Sequence, residues 1–146
     1  CDDRPAYANP ATHPQADSYF CGSWKEAVAQ VAPAAHHYLV VVTRGHRDDA
    51  DVLMEIARQG CRPKYMGMIG SRAKKATLDR ILLDEGVDLE FLAGVHTPIG
   101  LEVGAKSSGE IAVSLVAELV RLRRLGDLAE PAPRPLRAGK RHPDPV

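Results

Sequence analysis

A continuous apolar run at residues 38–43 (YLVVVT) is the feature that most restricts the fold of this 146-residue chain. The run is rich in β-branched residues and does not alternate between polar and apolar positions, which is typical of a strand covered by helices on both faces. Helical spacing of apolar residues follows it, and a second strand pattern covers residues 63–69. Strands that alternate with helices predict an α/β fold built on a parallel sheet.

The last strongly helical segment is residues 111–124. Ser107 and Glu110 precede it in the capping-box pattern, which predicts that the helix begins there. Its polar side is narrow and consists of Ser114, Glu118 and Arg121. The sequence therefore predicts that most of this helix is buried.

Prolines concentrate after Gly126, which predicts a folded domain over residues 1–125 and a flexible tail over residues 126–146. At the other end, Cys1 is followed by two aspartates and no initiator methionine is present. We interpret this beginning as that of a fragment, a processed form or a partial chain.

Charge and composition exclude several classes of protein. The formal net charge is +0 and the pI is about 7.2, whereas nucleic-acid-binding domains usually carry a basic patch. The apolar runs are far shorter than the roughly 20 residues that span a bilayer. The 3 cysteines include no CxxC pair, which favours reduced thiols in a cytoplasmic protein over a disulfide framework or a cysteine-bound zinc ion.

The first candidate site is the glycine-containing turn at residues 67–75 (GMIGSRAKK). Gly67 and Gly70 let the backbone approach a ligand closely, and the following helix start offers unpaired N–H groups. Ser71 adds a hydroxyl, and Arg72 can bind two oxygens of a phosphate or carboxylate. The pattern predicts an anion-binding site, with a solvated strand-to-helix turn as the alternative. It is neither a Walker motif nor a GxGxxG fingerprint.

The second candidate is residues 43–49 (TRGHRDD), which follow the other strand at the same edge of the sheet. Ligands of parallel α/β sheets bind at this edge. His46 could donate or accept a proton or orient a ligand, or be a plain surface histidine. For Asp49 the favoured role is that of helix cap. A metal site formed by His46 with Asp48 or Asp49 has little support, because the spacing is unspecific.

Two further groups have mainly structural interpretations. Asp2 and Asp3 would take ribose hydroxyls if they ended the second strand of a dinucleotide fold, but the glycine loop expected about 20 residues earlier is absent. In residues 96–102, Pro98 and Gly100 fix a turn from which His96 could point into a cleft. A purely structural turn is the favoured interpretation there.

Read together, these segments resemble one family. Its motifs are matched in order by Asp2-Asp3-Arg4-Pro5; by Thr43-Arg44-Gly45-His46 with Asp49 and Leu53; by Tyr65-Met66-Gly67-Met68-Ile69-Gly70-Ser71-Arg72 with Lys74; by Pro98-Ile99-Gly100-Leu101 with Gly104; and by Glu110-Ile111-Ala112-Val113-Ser114 with Ala117-Glu118. The chain is similar over residues 1–124 to the C-terminal domain of the XdhC/CoxI family, the accessory proteins of xanthine dehydrogenase and carbon monoxide dehydrogenase.

The resemblance implies a three-layer, Rossmann-like parallel sheet with helices on both faces. It also implies a non-catalytic maturation factor, often a homodimer, that binds the molybdenum cofactor (molybdopterin), protects it and passes it to an apo molybdenum hydroxylase. The cofactor-binding residues implied by carry-over are Asp2, Asp3, His46, Asp49, Gly67, Gly70, Ser71, Arg72, Lys74 and Gly100. Of these, Gly67, Gly70, Ser71, Arg72 and Lys74 would hold phosphate.

The chain departs from the family pattern at its start. The family's first strand and glycine loop, roughly GAGH, are absent, and so is its separate N-terminal domain. This chain is therefore expected to carry part of a ligand site. An NAD(P)-dependent oxidoreductase or nucleotide-binding domain is the alternative function, although no hydride-transfer pair such as Tyr-x-x-x-Lys is evident. A scaffold or interaction domain with a vacant pocket is the third possibility.

Overall fold

The computed structural model describes residues 1–126. The elements in chain order are α1 (Trp24–Val31), β1 (Tyr38–Val41), α2 (His46–Arg58), β2 (Tyr65–Met68), α3 (Arg72–Asp84), α4 (Leu89–Ala93), β3 (Val95–His96) and α5 (Ser108–Leu125). None of the helices within residues 1–126 combines the length and apolar character needed to cross a bilayer. The predicted flexible tail lies, from residue 127 onward, outside the described residues.

The strands form one parallel sheet in the order β1-β2-β3. Tyr38 pairs with Tyr65 in the first ladder, and Met66 pairs with Val95 in the second. The predicted α/β fold with a parallel sheet is confirmed. The sequence did not predict β3, because a strand of 2 residues is too short to show a periodic pattern.

Alternate residues of β2 contribute to two separate cores, one on each face of the sheet. Met66 and Met68 pack among the apolar side chains of α2, α3 and α4. On the opposite face, Tyr65 packs with Ile99 and with Leu122 of α5. Helices therefore cover both faces of β2, in the layered arrangement of a Rossmann-like domain.

Strand β1 is covered on one face only, so the prediction that it is buried on both faces is wrong for the described residues. Val41 is buried in the core beneath the helices. Tyr38, Val40 and Val42 are exposed on the opposite face, and Val42 retains 62% of its accessible surface. The reason is that β1 lies at the edge of the sheet, and α5 packs over its neighbour β2 instead.

The face of helix α5 that packs against the sheet is not the one that its hydropathy pattern indicates. Its polar residues Ser114 and Glu118 are only 3% and 7% exposed, whereas Val113 is 71% exposed. The prediction that most of this helix is buried is therefore wrong, and part of its polar side is what packs inward. The helix packs on the sheet through Ser114, Glu118 and Leu122. Glu118 can be buried there because the Tyr65 hydroxyl and the Gly100 N–H donate hydrogen bonds to it.

The start of α5 does follow the sequence pattern. Ser107 Oγ accepts a hydrogen bond from the backbone N–H of Glu110 at 3.3 Å, and Glu110 Oε2 accepts from the Ser107 N–H at 2.8 Å. Backbone donation from Ser107 and Lys106 holds the pKa of Glu110 below its ordinary value. The predicted capping box is confirmed.

Candidate functional site

The turns after β1 and β2 lie side by side at the carboxyl edge of the sheet, because the two strands are parallel neighbours. Helix α2 begins at His46 directly after the first turn, and α3 begins at Arg72 directly after the second. The positive ends of two helix dipoles therefore meet at this edge. Such a place favours a negatively charged ligand group.

A buried ion pair fixes the two turns to each other. Asp49, which is 0% exposed, lies 2.5 Å from Lys74 Nζ through its Oδ2 atom. Thr43 Oγ1 donates to Asp49 Oδ1 at 2.6 Å, and Lys74 Nζ also donates to the Ile69 carbonyl at 3.1 Å. The Asp49–Lys74 pair joins the start of α2 to the start of α3. The hydrogen bond from Thr43 stabilises the turn after β1, and the bond to the Ile69 carbonyl stabilises the turn after β2.

The prediction that Asp49 caps α2 is wrong. The helix begins at His46 with Gly45 as its N-cap, so Asp49 lies inside the first turn and its N–H bonds to the Gly45 carbonyl. The sequence contained no signal for the pair with Lys74, because the partners are distant in the chain and meet only when the strands pair.

The start of α3 presents the groups that an anion needs. Ser71 is the N-cap, and its Oγ accepts from the Lys74 N–H at 3.1 Å, which leaves the hydroxyl proton available for donation. The N–H groups of Arg72 and Ala73 belong to the unpaired donors of a helix start. The Arg72 side chain is exposed. The ammonium of Lys74 is bound by Asp49, so its contact with phosphate stays a prediction.

Gly67 has a different environment from that expected of a ligand contact. A Cβ atom at Gly67 would lie 2.7 Å from atoms of the Tyr65 ring and closer still to its hydroxyl. Tyr65 is buried within the second core. Gly67 therefore makes room for the Tyr65 ring, a role that spacing along the sequence did not indicate.

The acidic pair at the start of the chain reaches the turn after β1. Asp2 accepts three hydrogen bonds from Arg4, which hold the pKa of its carboxyl well below its usual range. Asp3 forms an ion pair with Arg44, next to the exposed His46. Within residues 1–126, no three His, Cys, Asp or Glu side chains are grouped so as to hold a metal ion. Ligand contacts by the two aspartates and His46 stay predictions.

A cleft of about 470 Å³ opens between the turn after β2, the segment after β3 and helix α5. Gly70, Arg72 and Gly100 all line it, so the structure brings these three predicted residues together. His96, Glu118 and Arg121 line it as well. The cleft thus combines the turn predicted to bind an anion with polar side chains from α5.

Glu118 connects helix α5 to strand β2 and to the segment after β3. The Tyr65 hydroxyl donates to Glu118 Oε2 at 2.6 Å, and the Gly100 N–H donates to the same oxygen at 2.7 Å. Burial and the Glu118 carboxylate raise the pKa of Tyr65. Sequence reasoning placed Glu118 on the narrow polar side of α5 and did not name it as a site residue. Two signals pointed to it: a glutamate among apolar helical positions, and its place in the Ala117-Glu118 motif that resembles the family.

His96 lines the cleft and lies against the buried Tyr65. The two rings stack with centroids 5.3 Å apart and an interplanar angle of 5°. Burial is the main effect on His96 and lowers its pKa; the Glu118 carboxylate acts in the opposite direction, and Lys75 adds to the lowering. The imidazole is therefore neutral at pH 7. His96 lines the cleft, whereas the favoured interpretation of the sequence was a purely structural turn.

Replacing Tyr65 by phenylalanine should reduce the free energy of unfolding by about 1.5–3 kcal/mol, because the buried carboxylate of Glu118 loses one of its donors. Chemical denaturation of the full chain measures the change. Tyr19→Phe is the control, since that hydroxyl donates to a backbone carbonyl at the exposed surface. Equal effects of the two substitutions would contradict a stabilising role for the Tyr65–Glu118 contact.

Comparison with known proteins assigns this architecture to a family. Residues 1–119 match the family model of the XdhC Rossmann domain. The chain belongs to the XdhC family. The match covers the sheet, both turns and most of α5, and among the cleft side chains named above it leaves out Arg121.

Relatives of this XdhC domain occur among curated proteins. It is 28% identical over 123 residues to a probable xanthine dehydrogenase subunit of Bacillus subtilis strain 168, covering 84% of this chain and 34% of that protein. It is also 28% identical over 101 residues to the uncharacterized protein YqeB of Escherichia coli K12, covering 69% of this chain and 18% of that protein. The chain thus spans about a third or less of the length of these relatives.

A solved structure shares the fold. The XdhC domain superposes on a crystal structure described as a xanthine dehydrogenase from Bacillus halodurans with a TM-score of 0.71 at 22% identity, over 86% of this chain and 35% of that one. At this level of identity the likeness supports the Rossmann-like fold alone.

Proposed function

We propose that this domain binds the molybdenum cofactor by its phosphate and takes part in the maturation of a molybdenum hydroxylase of the xanthine dehydrogenase type. The observation that carries the proposal is the position of Arg72, at the start of α3, on a polar cleft, with the start of α2 at the same edge of the sheet. Membership of the XdhC family and a relative named as a probable xanthine dehydrogenase component support the choice of cofactor and client.

The residues present fit the phosphate end of such a cofactor. Backbone N–H groups at the start of α3, the Ser71 hydroxyl and the Arg72 guanidinium are donors, and phosphate oxygens are acceptors. The buried pair of Asp49 and Lys74 keeps this helix start in register with the start of α2. The cofactor itself supplies the molybdenum chemistry of the client enzyme, whereas these residues bind and orient it.

The handover role sets the other expectations. An apo molybdenum hydroxylase of the xanthine dehydrogenase or carbon monoxide dehydrogenase type is the proposed partner. A homodimer and a cytoplasmic location follow from the family resemblance and stay predictions. A nicotinamide dinucleotide is the competing ligand, because a Rossmann-like sheet with a helix start at its carboxyl edge also suits NAD(P).

Replacing Arg72 by alanine should weaken binding of molybdopterin cofactor to the full chain by about tenfold or more, since a charge-assisted contact to phosphate is lost. Isothermal titration measures the affinity, with NADH and NADPH titrated in parallel. Arg80→Ala is the matched control, because Arg80 is an exposed arginine further along the same helix. The affinity of the Arg80→Ala variant for molybdopterin cofactor should stay within about twofold of that of the unmodified chain.

The outcomes separate the candidate functions. Cofactor binding that depends on Arg72 but not on Arg80 supports the maturation role. Tighter binding of NADH or NADPH, with substrate-dependent oxidation, would replace it by an oxidoreductase. Equal losses in both arginine variants would show that only the overall positive charge matters.

A further inference from the structure

The hydrogen bonds to Glu118 are unevenly divided between its two oxygens. Tyr65 and Gly100 both donate to Oε2, and together they use the acceptor sites of that oxygen. Neither uses Oε1. A carboxylate that is 7% exposed and lines a cleft thus has one oxygen fixed by the protein and a second whose acceptor sites these bonds leave unused.

The rest of the cleft suits a flat, polar ring. Its volume of about 470 Å³ lies within the range of small-molecule pockets. His96, which stacks on the buried Tyr65, gives it one aromatic side chain, and the neutral imidazole adds no positive charge opposite a ligand's N–H donors. Thr97 adds a buried hydroxyl oxygen that has no hydrogen-bond partner within residues 1–126.

We propose that Glu118 Oε1 accepts a hydrogen bond from the N–H edge of a 2-amino-4-oxopyrimidine ring, the edge that pterins and guanine share. This inference rests on the proposed function, because molybdopterin contains such a ring and its dinucleotide form can carry a second one. The ring occupies the cleft beside α5, while the phosphate lies at Arg72 on the same cleft. Glu118 thereby reads the exocyclic amino group, and the anion-binding turn reads the charge.

A purely structural role for Glu118 is the alternative, since the same carboxylate ties Gly100 and Tyr65 to α5. Glutamine distinguishes the two roles. In Glu118→Gln the amide oxygen can keep both bonds from Tyr65 and Gly100, while an NH₂ group replaces Oε1. The internal tie is then preserved, but the group that faces the ligand changes from an acceptor to a donor.

The test measures how the full chain and its Glu118→Gln variant bind pterin and lumazine, the analogue with an oxo group in place of the 2-amino group. Fluorescence titration should show that the unmodified chain prefers pterin by about tenfold, because the mismatched edge leaves a buried acceptor unpaired. Glu118→Gln should abolish or reverse this preference while the melting temperature stays close to that of the unmodified chain. Glu90→Gln, an exposed glutamate on α4, should change neither.

Guanosine and inosine 5′-monophosphates, titrated alongside, distinguish the two ring sources. A Glu118-dependent preference within the pterin pair assigns the cleft to the pterin, and one within the nucleotide pair assigns it to guanine. Equal affinity for both members of each pair, no binding of any of them, or a preference that survives Glu118→Gln would overturn the inference. If molybdopterin binding still depends on Arg72 in that case, the proposed function stands without this ring contact.

Discussion

Replacing Asp49 by asparagine should lower the free energy of unfolding by about 3–5 kcal/mol, a large fraction of the stability of a domain of this size. Asparagine can still accept the hydrogen bond from Thr43, but it leaves the ammonium of Lys74, whose side chain is only 15% exposed, without its counter-charge. Breaking a buried pair from one side is costly because the remaining charge is neither solvated nor paired. Urea denaturation of the full chain measures the loss.

Asp88→Asn is the matched control for this substitution. Asp88 pairs with Arg62 at the surface, and both side chains are half exposed. Asparagine also retains the cap that Asp88 provides to the Phe91 N–H, so we expect a change of about 1 kcal/mol or less. Combining Asp49→Asn with Lys74→Met should recover part of the loss, since the unpaired cation is then absent. A loss at Asp49 no larger than at Asp88 would show that the buried pair contributes little.

Replacing Gly100 by alanine should destabilise the domain by roughly 2–5 kcal/mol, because two separate costs add. The backbone at Gly100 has φ +91, a conformation that side chains with a Cβ rarely adopt. The new Cβ would also collide with Ser114 Oγ and lie 2.9 Å from the Leu115 backbone nitrogen, so the segment after β3 would have to move away from α5. That movement would stretch the bond from the Gly100 N–H to Glu118.

Gly104→Ala separates the two costs. Gly104 has a comparable φ of +73, but a Cβ there would meet no heavy atom within 4 Å. The control should therefore lose only the conformational part, about 1–2 kcal/mol. Thermal or chemical denaturation measures both variants. If the two glycines proved equally tolerant, the close packing of Gly100 on α5 would not contribute to stability.

Local chemistry explains how far the sequence predicts this fold. The capping pattern at Ser107 and the apolar spacing of α2 and α3 depend on neighbours within a few positions, and they predicted where helices occur. Strand β3 escaped prediction because its 2 residues are defined by pairing with β2 and not by their own pattern. The sequence also failed to predict the exposed face of β1. Hydropathy indicates whether a residue favours burial, but it does not indicate which elements lie beside the strand.

The candidate site divides in the same way. The strand–glycine–helix pattern around Gly70, Ser71 and Arg72 predicted a turn and a helix start at the edge of the sheet. The structure has a turn there after β2, and α3 begins at Arg72. The contacts of Asp49 with Lys74 and of Glu118 with Tyr65 join residues far apart in the chain. Sequence spacing carries no information about such pairs, so Asp49 was interpreted as a cap and Glu118 as part of the narrow polar side of α5.

The orientation of α5 has a practical consequence for anyone who attaches a probe to this domain. Hydropathy would select Ser114 or Glu118 as solvent positions for a cysteine and a spin label or dye, and would avoid Val113. The structure reverses that choice, because the polar positions are packed against the sheet while the valine side chain extends into solvent. A label at Val113 would report on motion of the helix, whereas one at Ser114 would force the helix away from the cleft that the experiment is meant to observe.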